Sequence, residues 1–595
     1  DNGSLHITTS GNAPLLSIGG NTFAGGPHSI ASGQATSATG SHSFAGGYLT
    51  SAGGQAAVAL GKRTLADGKE SLSLGNETSA MGDFSVASGT LSTATGTASY
   101  ALGFQTTANG AYSLAVGQKT SAVGTGSFAF GNASSAIGDW SIALGQSTQT
   151  GLAPYAFALG AATSALGFNS FAIGSSTYTD GSYSFAMGPS NEVTTDVSFT
   201  HGAGNSIHSQ YSQAFGQGNT IGSDADHSFA QGNFNSLQTT YTVAFGQSND
   251  VRGNFSFVLG NNNRTTARNS FVGGKSSVSS SEYGFVYGQG CQAQIGDYTA
   301  VFGQSNYSYG AYSFVAGKDH KVGIEGSTYA GEFSTVFGYG HDVSTLIDGR
   351  GNFVAGVSNE VQGSYHNVTG IINVTSGSSN LVHGSGNTVD GAYSTAIGFA
   401  NVIDANYASC FGWENNSQSN YTTSFGVQTS AYAPTTIVHG SGQYQNKGDR
   451  QVERCVMHGR AINSNSISCT IGGPTGLDEK YQFPIGQPAA YAIQALVVTT
   501  QIDDVLHDNL EVDTANWLLT VRWDGISSVT YKETRIGNET LTALGKGGQI
   551  STTSRINRVV ASLSSGTNKL YVNIQMDDVS NYYALVDLTV LRLAP

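Results

Sequence analysis

Charged residues are scarce in this sequence. They make up 10% of its 595 residues, whereas an ordinary globular chain carries about 25%. The charge that is present is mostly acidic, with a formal net charge of -14 at pH 7. Nucleic-acid-binding proteins usually have a basic face, so we expect no nucleic-acid partner. No run of about 18 apolar residues is present, so we expect no transmembrane helix and no membrane insertion.

Proline and cysteine are scarce as well. With only 9 Pro and many Phe, Tyr, Val and Ile residues, the chain has neither the composition of a linker nor that of a disordered protein. No pair of cysteines has metal-ligand spacing, and we interpret all four as small buried apolar residues. They are Cys291, Cys410, Cys455 and Cys469. We therefore expect no metal ion and no cofactor.

Motifs of catalysis are missing too. The sequence has no nucleophile elbow, no phosphate-binding loop and no HExxH motif. A glycosidase needs two carboxylates about 5–10 Å apart, and the pairs Asp224/Asp226 and Asp503/Asp504 lie close in sequence. Neighbours on a strand point to opposite faces, and residues 224 and 226 fall in a predicted turn. The sequence therefore predicts a protein that is not an enzyme.

Glycine, in contrast, is abundant and regularly spaced, with 81 residues. The phrase Ser-x-Ala-x-Gly, in which x is a larger apolar residue, returns every 14 residues, as in SLAVG ending at Gly117 and SFAFG ending at Gly131. We call the glycine that ends each phrase the anchor glycine. A fixed short period predicts a solenoid. Alternating side chains predict two short strands in each coil, and the glycines predict the tight turns between them.

The two faces of the predicted strands differ. In each phrase the larger residues point to one face and Ser and Ala to the other, so one face fills the coil and the other needs a partner. Threefold association satisfies a slender coil most simply, and we predict a homotrimer. Periodic aromatic residues such as Tyr298, Tyr307, Tyr309 and Tyr312 are interpreted as filling of the coil, with glycan stacking as the alternative if they are exposed.

A second periodic position lies three residues after each anchor glycine. It holds Thr or Ser in the early coils and mostly Asn from Asn191 onward. Stacked asparagines can bond from coil to coil, so we interpret this row as structural, with a glycan-binding row of amides as the alternative. The predicted ladder comprises Asn191, Asn205, Asn219, Asn249, Asn263, Asn359, Asn373, Asn387 and Asn401.

Three histidines, His201, His383 and His439, each directly precede an anchor glycine. In a trimer each would form a ring of three imidazoles, which would offer an ion site. An ordinary surface or buried histidine is the plainer interpretation of each.

The 14-residue rhythm breaks between about residues 323 and 352. The insert His341-Asp-Val-Ser-Thr-Leu-Ile-Asp-Gly-Arg350 has no strand alternation and carries charge. We interpret it as a protruding loop. A tolerated insertion is the plainer interpretation, and receptor contacts are the alternative, because recognition often lies on loops of a rigid scaffold. The predicted contact residues are His341, Asp342, Asp348 and Arg350.

The rhythm stops at about residue 440, and strands of ordinary length follow. Alternation and turn signals predict an antiparallel β-sandwich. Its predicted strands are Ala490–Thr499, Asn516–Trp523, Thr530–Thr534, Arg555–Ser562, Lys569–Met576 and Tyr583–Leu593. Trp517 and Trp523 share a face of one strand; we interpret them as core residues and keep a sugar contact as the alternative.

The repeats resemble a known family. The phrases SIALG ending at Gly145, SFAIG at Gly174 and SFAMG at Gly188 resemble the head repeats of trimeric autotransporter adhesins, which also occur in bacteriophage tail fibres. This resemblance covers about residues 17–440 and implies a homotrimer of left-handed parallel β-rolls.

The last 145 or so residues resemble a β-domain that follows such repeats in phage tail fibres. The resemblance rests on Gly-Asp-Arg-Gln at 448–451, Tyr491-Ala-Ile-Gln-Ala-Leu-Val-Val498 and Ala515-Asn-Trp517. The family more often has Ala than Arg at position 450. Bacterial adhesins are similar to this chain in the repeats alone, so the resemblance favours a virion fibre.

These observations predict an all-β chain with four regions: a lead-in strand at 1–16, a Thr/Ser-laddered roll at 17–188, an Asn-laddered roll at 189–442 and a sandwich at 443–595. The predicted function is attachment of a virion to a host-cell surface glycan or protein without catalysis. The chain begins at Asp1, so we expect it to be processed or trimmed, with a virion attachment protein as partner at its N-terminal end. A fibre-borne polysaccharide depolymerase and a bacterial surface adhesin are the alternatives.

Overall fold

The computed structural model describes residues 5–10, 13–327, 330–343, 349–432 and 434–441, and the backbone of the strands that follow between 451 and 593. All regular structure in these residues is β-strand, and none is helix. The described part of the chain thus offers no long apolar helix for a membrane span. The chain divides into two units, Asp1–Tyr287 and Gly288–Pro595. Together they hold a parallel β-solenoid of about 30 turns, with coils of about 14 residues, as the glycine period predicts.

Each regular coil contains one five-residue strand and one two-residue strand. The five-residue strand begins three residues before the anchor glycine and ends one residue after it, as in Leu114–Gln118 around Gly117. The two-residue strand occupies the fourth and fifth residues after the anchor, as in Ser121–Ala122. In unit 1 this rule gives the strand bounds for the anchors Gly33, Gly47, Gly61, Gly75, Gly89, Gly103, Gly117, Gly131, Gly145, Gly160, Gly174, Gly202, Gly216, Gly232, Gly246, Gly260 and Gly274.

The exceptions in unit 1 lie at its start and at one irregular coil. Strand Leu5–Ser10 pairs antiparallel with Ala13–Gly20, which contains the anchor Gly19 and is followed by Phe23–Ala24. Around Gly188 the first strand is shortened to Phe185–Met187, and the second is Glu192–Val193. Strand Phe285–Gln289 spans the division between the units.

In unit 2 the same rule gives the strands for Gly303, Gly317, Gly338, Gly356, Gly398, Gly412 and Gly426, and the last coil ends in Thr436–Ser441. The pair Gln292–Ala293 follows Gly288. Two coils have a five-residue strand on both sides: Asn367–Ile371 with Val374–Ser378, and Leu381–Ser385 with Thr388–Ala392. On the second side of these two coils Gly377 and Gly391 are partners in parallel strands.

The anchor glycines set the register from coil to coil. Gly103, Gly117 and Gly131 are partners in neighbouring parallel strands. Gly117 has φ +129°, and a Cβ on it would lie 1.9 Å from the carbonyl oxygen of Gly131. Both the left-handed backbone and the close approach therefore require glycine. A coil can stack on the next only where this position has no side chain.

Small residues fill the coils. In Leu114–Gln118 only Ala115 is fully buried, and in Ser121–Ala122 only Ala122 is. In these early coils the larger residues of each phrase point outward, and alanine packs inside. Later coils of unit 1 hold larger inward residues opposite the five-residue strand: Val193, Ile207, Ile221, Leu237 and Val251.

Unit 2 continues after the coils into long antiparallel strands. Thr436–Ser441 pairs with Gln451–Thr470, and that strand pairs with Lys569–Leu593. The others are Tyr481–Gln482, Ala489–Gln501, Leu510–Trp523, Val529–Arg535, Thr540–Leu544 and Ile556–Leu563. Five of the six predicted strands fall inside observed ones, and the predicted strand Arg555–Ser562 begins one residue before its counterpart. The last two predicted strands join into Lys569–Leu593, and Gln451–Thr470, Tyr481–Gln482 and Thr540–Leu544 were not predicted.

Candidate functional site

The row three residues after each anchor lies inside the coils. Asn205 shows the pattern in unit 1: its Nδ2 donates to Oδ1 of Asn191 at 3.1 Å and to the carbonyl oxygen of Gly216 at 3.0 Å. Its Oδ1 accepts the backbone N–H of Asn219 at 3.0 Å. In unit 2 Asn387 bonds in the same way to Asn373 and Asn401. All nine asparagines of the sequence-derived ladder are buried, so they are not available to a ligand.

The Thr/Ser part of the row is less fully bonded. Ser92 Oγ donates to the carbonyl oxygen of Gly103 at 2.9 Å and accepts from Thr106 Oγ1 at 2.8 Å. Other hydroxyls of the row are buried without a hydrogen-bond partner among the described residues: those of Thr36, Thr50, Thr64, Thr120 and Thr148. A short hydroxyl reaches fewer acceptors than an amide, so these coils gain less from the row.

Histidine takes the place of asparagine at two positions of the row in unit 2. The backbone N–H of His341 donates to Nδ1 of His320 at 3.1 Å, and that of Asn359 donates to Nδ1 of His341 at 3.0 Å. Nε2 of His341 lies 2.8 Å from the carbonyl oxygen of Phe337. These contacts assign the proton of His341 to Nε2, so its neutral ring reproduces the acceptor and donor of asparagine.

A third buried histidine lies on the other side of the coils, in the position before the five-residue strand. His366 Nδ1 accepts the backbone N–H of Asn380 at 3.2 Å, and the backbone N–H of His366 donates to Asn352 Oδ1 at 2.9 Å. Burial, with the nearby His341, lowers the pKa of His320 to about 4. Burial also lowers the pKa of His341 and of His366.

The predicted receptor contacts separate into different places. His341 is buried inside the coil, so its assignment to a protruding loop is wrong. It directly precedes strand Asp342–Val343 and occupies the ladder position, where the side chain points inward. Asp342 and Arg350 are exposed. Asp348 lies outside the described residues. Trp517 and Trp523 lie on strand Leu510–Trp523, and their side chains are outside the described part.

The outward face of the five-residue strands forms a strip that we call the apolar strip; it is mostly apolar in unit 1 and carries uncharged polar residues such as Asn367 and Thr395 in unit 2. We define this strip as the residues three and one before each anchor glycine, such as Phe128 and Phe130 or Ile142 and Leu144. Rings stack along it, as in Phe257 on Phe271, whose centroids are 5.4 Å apart. In the described strands around the anchor glycines, no Asp, Glu, Lys or Arg occupies either position of the strip; Asp390 lies on the opposite side of its coil, in strand Thr388–Ala392. His201, His383 and His439 all belong to it.

A second exposed row consists of aromatic residues at the corner before many of the five-residue strands. Its members have left-handed backbone, for example Tyr407 with φ 55°. In unit 1 Tyr211, His227, Tyr241 and Phe255 stack in sequence with centroids 4.9–5.0 Å apart. In unit 2 Tyr298, Tyr312 and Phe333 stack, and so do Tyr393, Tyr407 and Tyr421.

These rings are exposed, so the prediction that periodic aromatic residues fill the coil is wrong for them. Sequence reasoning missed the row because its members vary between Tyr, Phe, Trp and His. The signal that finds it is their constant place, nine residues after the anchor glycine in regular coils.

The acidic pairs give no second site. Asp224 and Asp226 lie in a turn, and Asp226 Oδ1 accepts the backbone N–H of Gln210 at 2.8 Å. Asp503 and Asp504 lie outside the described residues. Among the residues the structure describes, no three His, Cys, Asp or Glu side chains are grouped to hold a metal ion. Cys291 and Cys410 are buried, and burial raises the pKa of the Cys291 thiol.

Parts of the first unit match the repeat of a known family. The YadA head domain repeat matches residues 24–50, 52–78, 66–92, 94–120, 117–139, 122–148 and 165–191. No curated protein matches the chain. The chain thus contains segments similar to the repeats of an adhesin head, as the resemblance of the phrases predicts.

Two solved structures similar to this chain are phage tailspikes. For the tailspike of Acinetobacter baumannii phage AM24, identity is 9% over 70% of this chain and 78% of that chain, with a TM-score of 0.17. For that of Acinetobacter baumannii bacteriophage Fri1, identity is 7% over 76% of this chain and 81% of that chain, with a TM-score of 0.17. At these TM-scores the likeness supports no conclusion about the activity of this chain.

The prediction that the chain is not an enzyme needs correction. The Fri1 tailspike is described as a capsular polysaccharide depolymerase, and the absence of local catalytic motifs from the sequence does not exclude an enzyme. The physical reason is that the two carboxylates of a glycosidase need proximity in space only. In a solenoid, residues one coil apart in sequence lie side by side, and a search for local motifs misses them.

Proposed function

We propose that this chain is a trimeric virion fibre or tailspike that attaches a virus, most simply a phage, to a glycan on the host-cell surface. The observation that carries this proposal is the apolar strip. It repeats on coil after coil without a charged residue, although the whole chain carries 24 Lys and Arg and 38 Asp and Glu residues. Contiguous apolar surface of this extent marks an interaction site.

Another copy of the chain fits this strip. Each copy presents the same residues at the same spacing, so a symmetric assembly pairs strip with strip throughout. Three copies around one axis would cover every strip, and the matches to the YadA head domain repeat support this arrangement. The remaining surfaces, with their exposed aromatic rows, would then face the host.

The proposal has an N-terminal and a C-terminal part. The N-terminal end would join the virion, and the antiparallel strands after residue 451 would form a sandwich at the distal end. The fibre would act outside the cell, on the virion. The YadA-like repeats also support a second candidate, an adhesin on a bacterial surface.

The experiment is binding of the fluorescently labelled full chain to host bacteria, with competition against the virus that encodes it. We expect saturable binding that blocks infection. If the labelled chain bound none of the bacterial strains that the virus infects, attachment would be refuted. In the same incubations, the chain length of the surface polysaccharide is followed by size-exclusion chromatography, and a fall in length would assign cleavage in addition to attachment.

A further inference from the structure

Three tyrosines on successive coils of unit 2 form an exposed, evenly spaced row. Tyr393, Tyr407 and Tyr421 are 56%, 48% and 59% exposed. Their ring centroids are 5.1 and 4.9 Å apart, and the rings are parallel within 4°. We call these three residues the tyrosine row. Among the stacked corner rows, this one has a phenol on every member.

The rings of the tyrosine row overlap only in part. Carbon atoms in contact are about 3.5–4.0 Å apart, whereas these centroids are about 5 Å apart at almost parallel planes. Each ring must therefore be displaced sideways relative to the next, as offset stacking requires. Part of each ring face and the phenol edge remain open, which agrees with the exposure of about half of each side chain.

Polar groups run beside the tyrosine row at the same spacing. Asn406 and Asn420 directly precede Tyr407 and Tyr421 and are exposed. The backbone N–H of Asn406 donates to Oδ1 of Asn420 at 2.9 Å, and that of Ala392 donates to Oδ1 of Asn406 at 2.7 Å. These bonds hold the two amides in register, so that they are already ordered for a ligand.

The charged residues near the tyrosine row limit which class of polymer can bind there. No Lys or Arg occurs between Arg350 and Lys447. Exposed carboxylates, those of Asp390 and Asp404, lie three residues before Tyr393 and Tyr407. An anionic polymer would meet repulsion here and find no lysine or arginine to pair with.

We propose that the tyrosine row and its flanking amides bind an uncharged polysaccharide that lies along the coils. Ring faces stack on the apolar faces of sugar rings, while amides and phenols bond to sugar hydroxyls. A ligand with a repeating unit fits because the same groups return on every coil. The inference rests on the proposed function, since it names the surface and the class of glycan.

Other coils have alanine at the position of the tyrosine row, nine residues after the anchor glycine. Substitution of these tyrosines by alanine should therefore leave the backbone unchanged. Ala56 and Ala98 occupy this position in unit 1 with φ 55° and 53°, close to the 55–60° of the three tyrosines. The triple variant Tyr393→Ala/Tyr407→Ala/Tyr421→Ala therefore keeps a backbone that these coils already use. The matched control is Phe399→Ala/Trp413→Ala, which removes two exposed aromatic rings from the same coils at a position outside both the apolar strip and the tyrosine row, where Ala161 and Ala203 are native residues.

The test is affinity electrophoresis of the full chain in native gels that contain dextran, mannan or galactomannan, with polygalacturonate as the anionic comparator. We expect the wild-type chain to be retarded by at least one neutral polymer and not by polygalacturonate. The triple tyrosine variant should bind the neutral polymer at least about tenfold more weakly than the wild type. The control should keep wild-type retardation.

Equal retardation of the tyrosine variant and the wild type would overturn the inference, as would stronger retardation by polygalacturonate or none by any neutral polymer. A lower native mass of the tyrosine variant would assign the row to contact between copies and overturn it too. The two proposals fail separately: cell binding that survives in the tyrosine variant refutes the polysaccharide site alone, and wild-type gel retardation without cell binding refutes attachment alone.

Discussion

The imidazole rings of His320 and His341 stack inside unit 2 with centroids 4.9 Å apart and planes within 5° of each other. Each uses Nδ1 to accept a backbone N–H from the next residue of the row. A proton on Nδ1 would remove that acceptor and place two like charges one coil apart in a buried site. Protonation of these rings therefore destabilises the described coils that contain them.

The first prediction concerns pH. Folding lowers the pKa of His320 from 6.5 to about 4, and lowers that of His341 and His366 too. Above pH 6.5 both folded and unfolded states hold neutral rings, so stability does not change. As the pH falls from 6.5 towards 4 the unfolded state binds protons that the folded state does not, and stability falls. The carboxylate of Asp319 offsets part of this effect.

The check is the thermal midpoint of the wild type and of His320→Asn/His341→Asn/His366→Asn between pH 7.5 and 4. Asparagine supplies the same acceptor and donor without titrating. The midpoint of the wild type should fall more steeply over this range than that of the variant. Parallel curves would contradict the role of these rings.

The second prediction concerns an anchor glycine. Gly117→Ala should cost several kcal/mol, or break the solenoid locally, because its Cβ would lie 1.9 Å from the Gly131 oxygen at φ +129°. Gly204 has φ +64° and open space around it, and Ala133 holds the equivalent position with φ 53°. Gly204→Ala should therefore cost about 1 kcal/mol or less. Urea denaturation measures the free energy of unfolding of both variants. Equal losses for the two variants would contradict the steric argument.

The third prediction compares the two kinds of ladder. Asn205→Ala removes an amide that bonds Asn191, Gly216 and Asn219 and should lower the free energy of unfolding by about 2–4 kcal/mol. Thr120→Val removes a buried hydroxyl that has no partner among the described residues and should be neutral or stabilising. Denaturant midpoints of the two variants provide the comparison. A larger loss for Thr120→Val would refute the difference.

The fourth prediction concerns the apolar strip. Phe128→Arg/Phe130→Arg would place like charges from every copy at one contact, and we expect the native mass to shift from a trimer towards the single chain of 61.3 kDa. Leu152→Arg is the control, since Leu152 is 86% exposed in a turn away from the strip. Native mass spectrometry measures the mass of the assembly that each variant forms. An unchanged mass for the double variant would contradict self-association through the strip.

Much of the fold follows from the sequence because each coil repeats one local rule. An anchor such as Gly117 marks a left-handed residue without room for a Cβ, so its period gives the position of every strand and the register between strands. The longer coil that ends at Gly160 also follows, since its extra residue lies in the turn that contains Leu152. None of this needs contacts between distant parts of the chain.

The sequence does not decide which face of a strand points inward. The alternation in the strand allows two orientations: Ala115 could face inward, or Leu114 and Val116 could. The closed coil decides it: Ala115 and Ala122 face inward here while Leu114 and Val116 face outward, and coils of unit 2 hold larger inward pairs such as Val354 and Val361. The same closure turns His341 inward, although charge around it predicts a loop, and leaves the tyrosine row outside, although its period resembles core filling. Local spacing thus determines where the chain turns, whereas the cross-section of the coil, set by two strands at once, determines what each side chain meets.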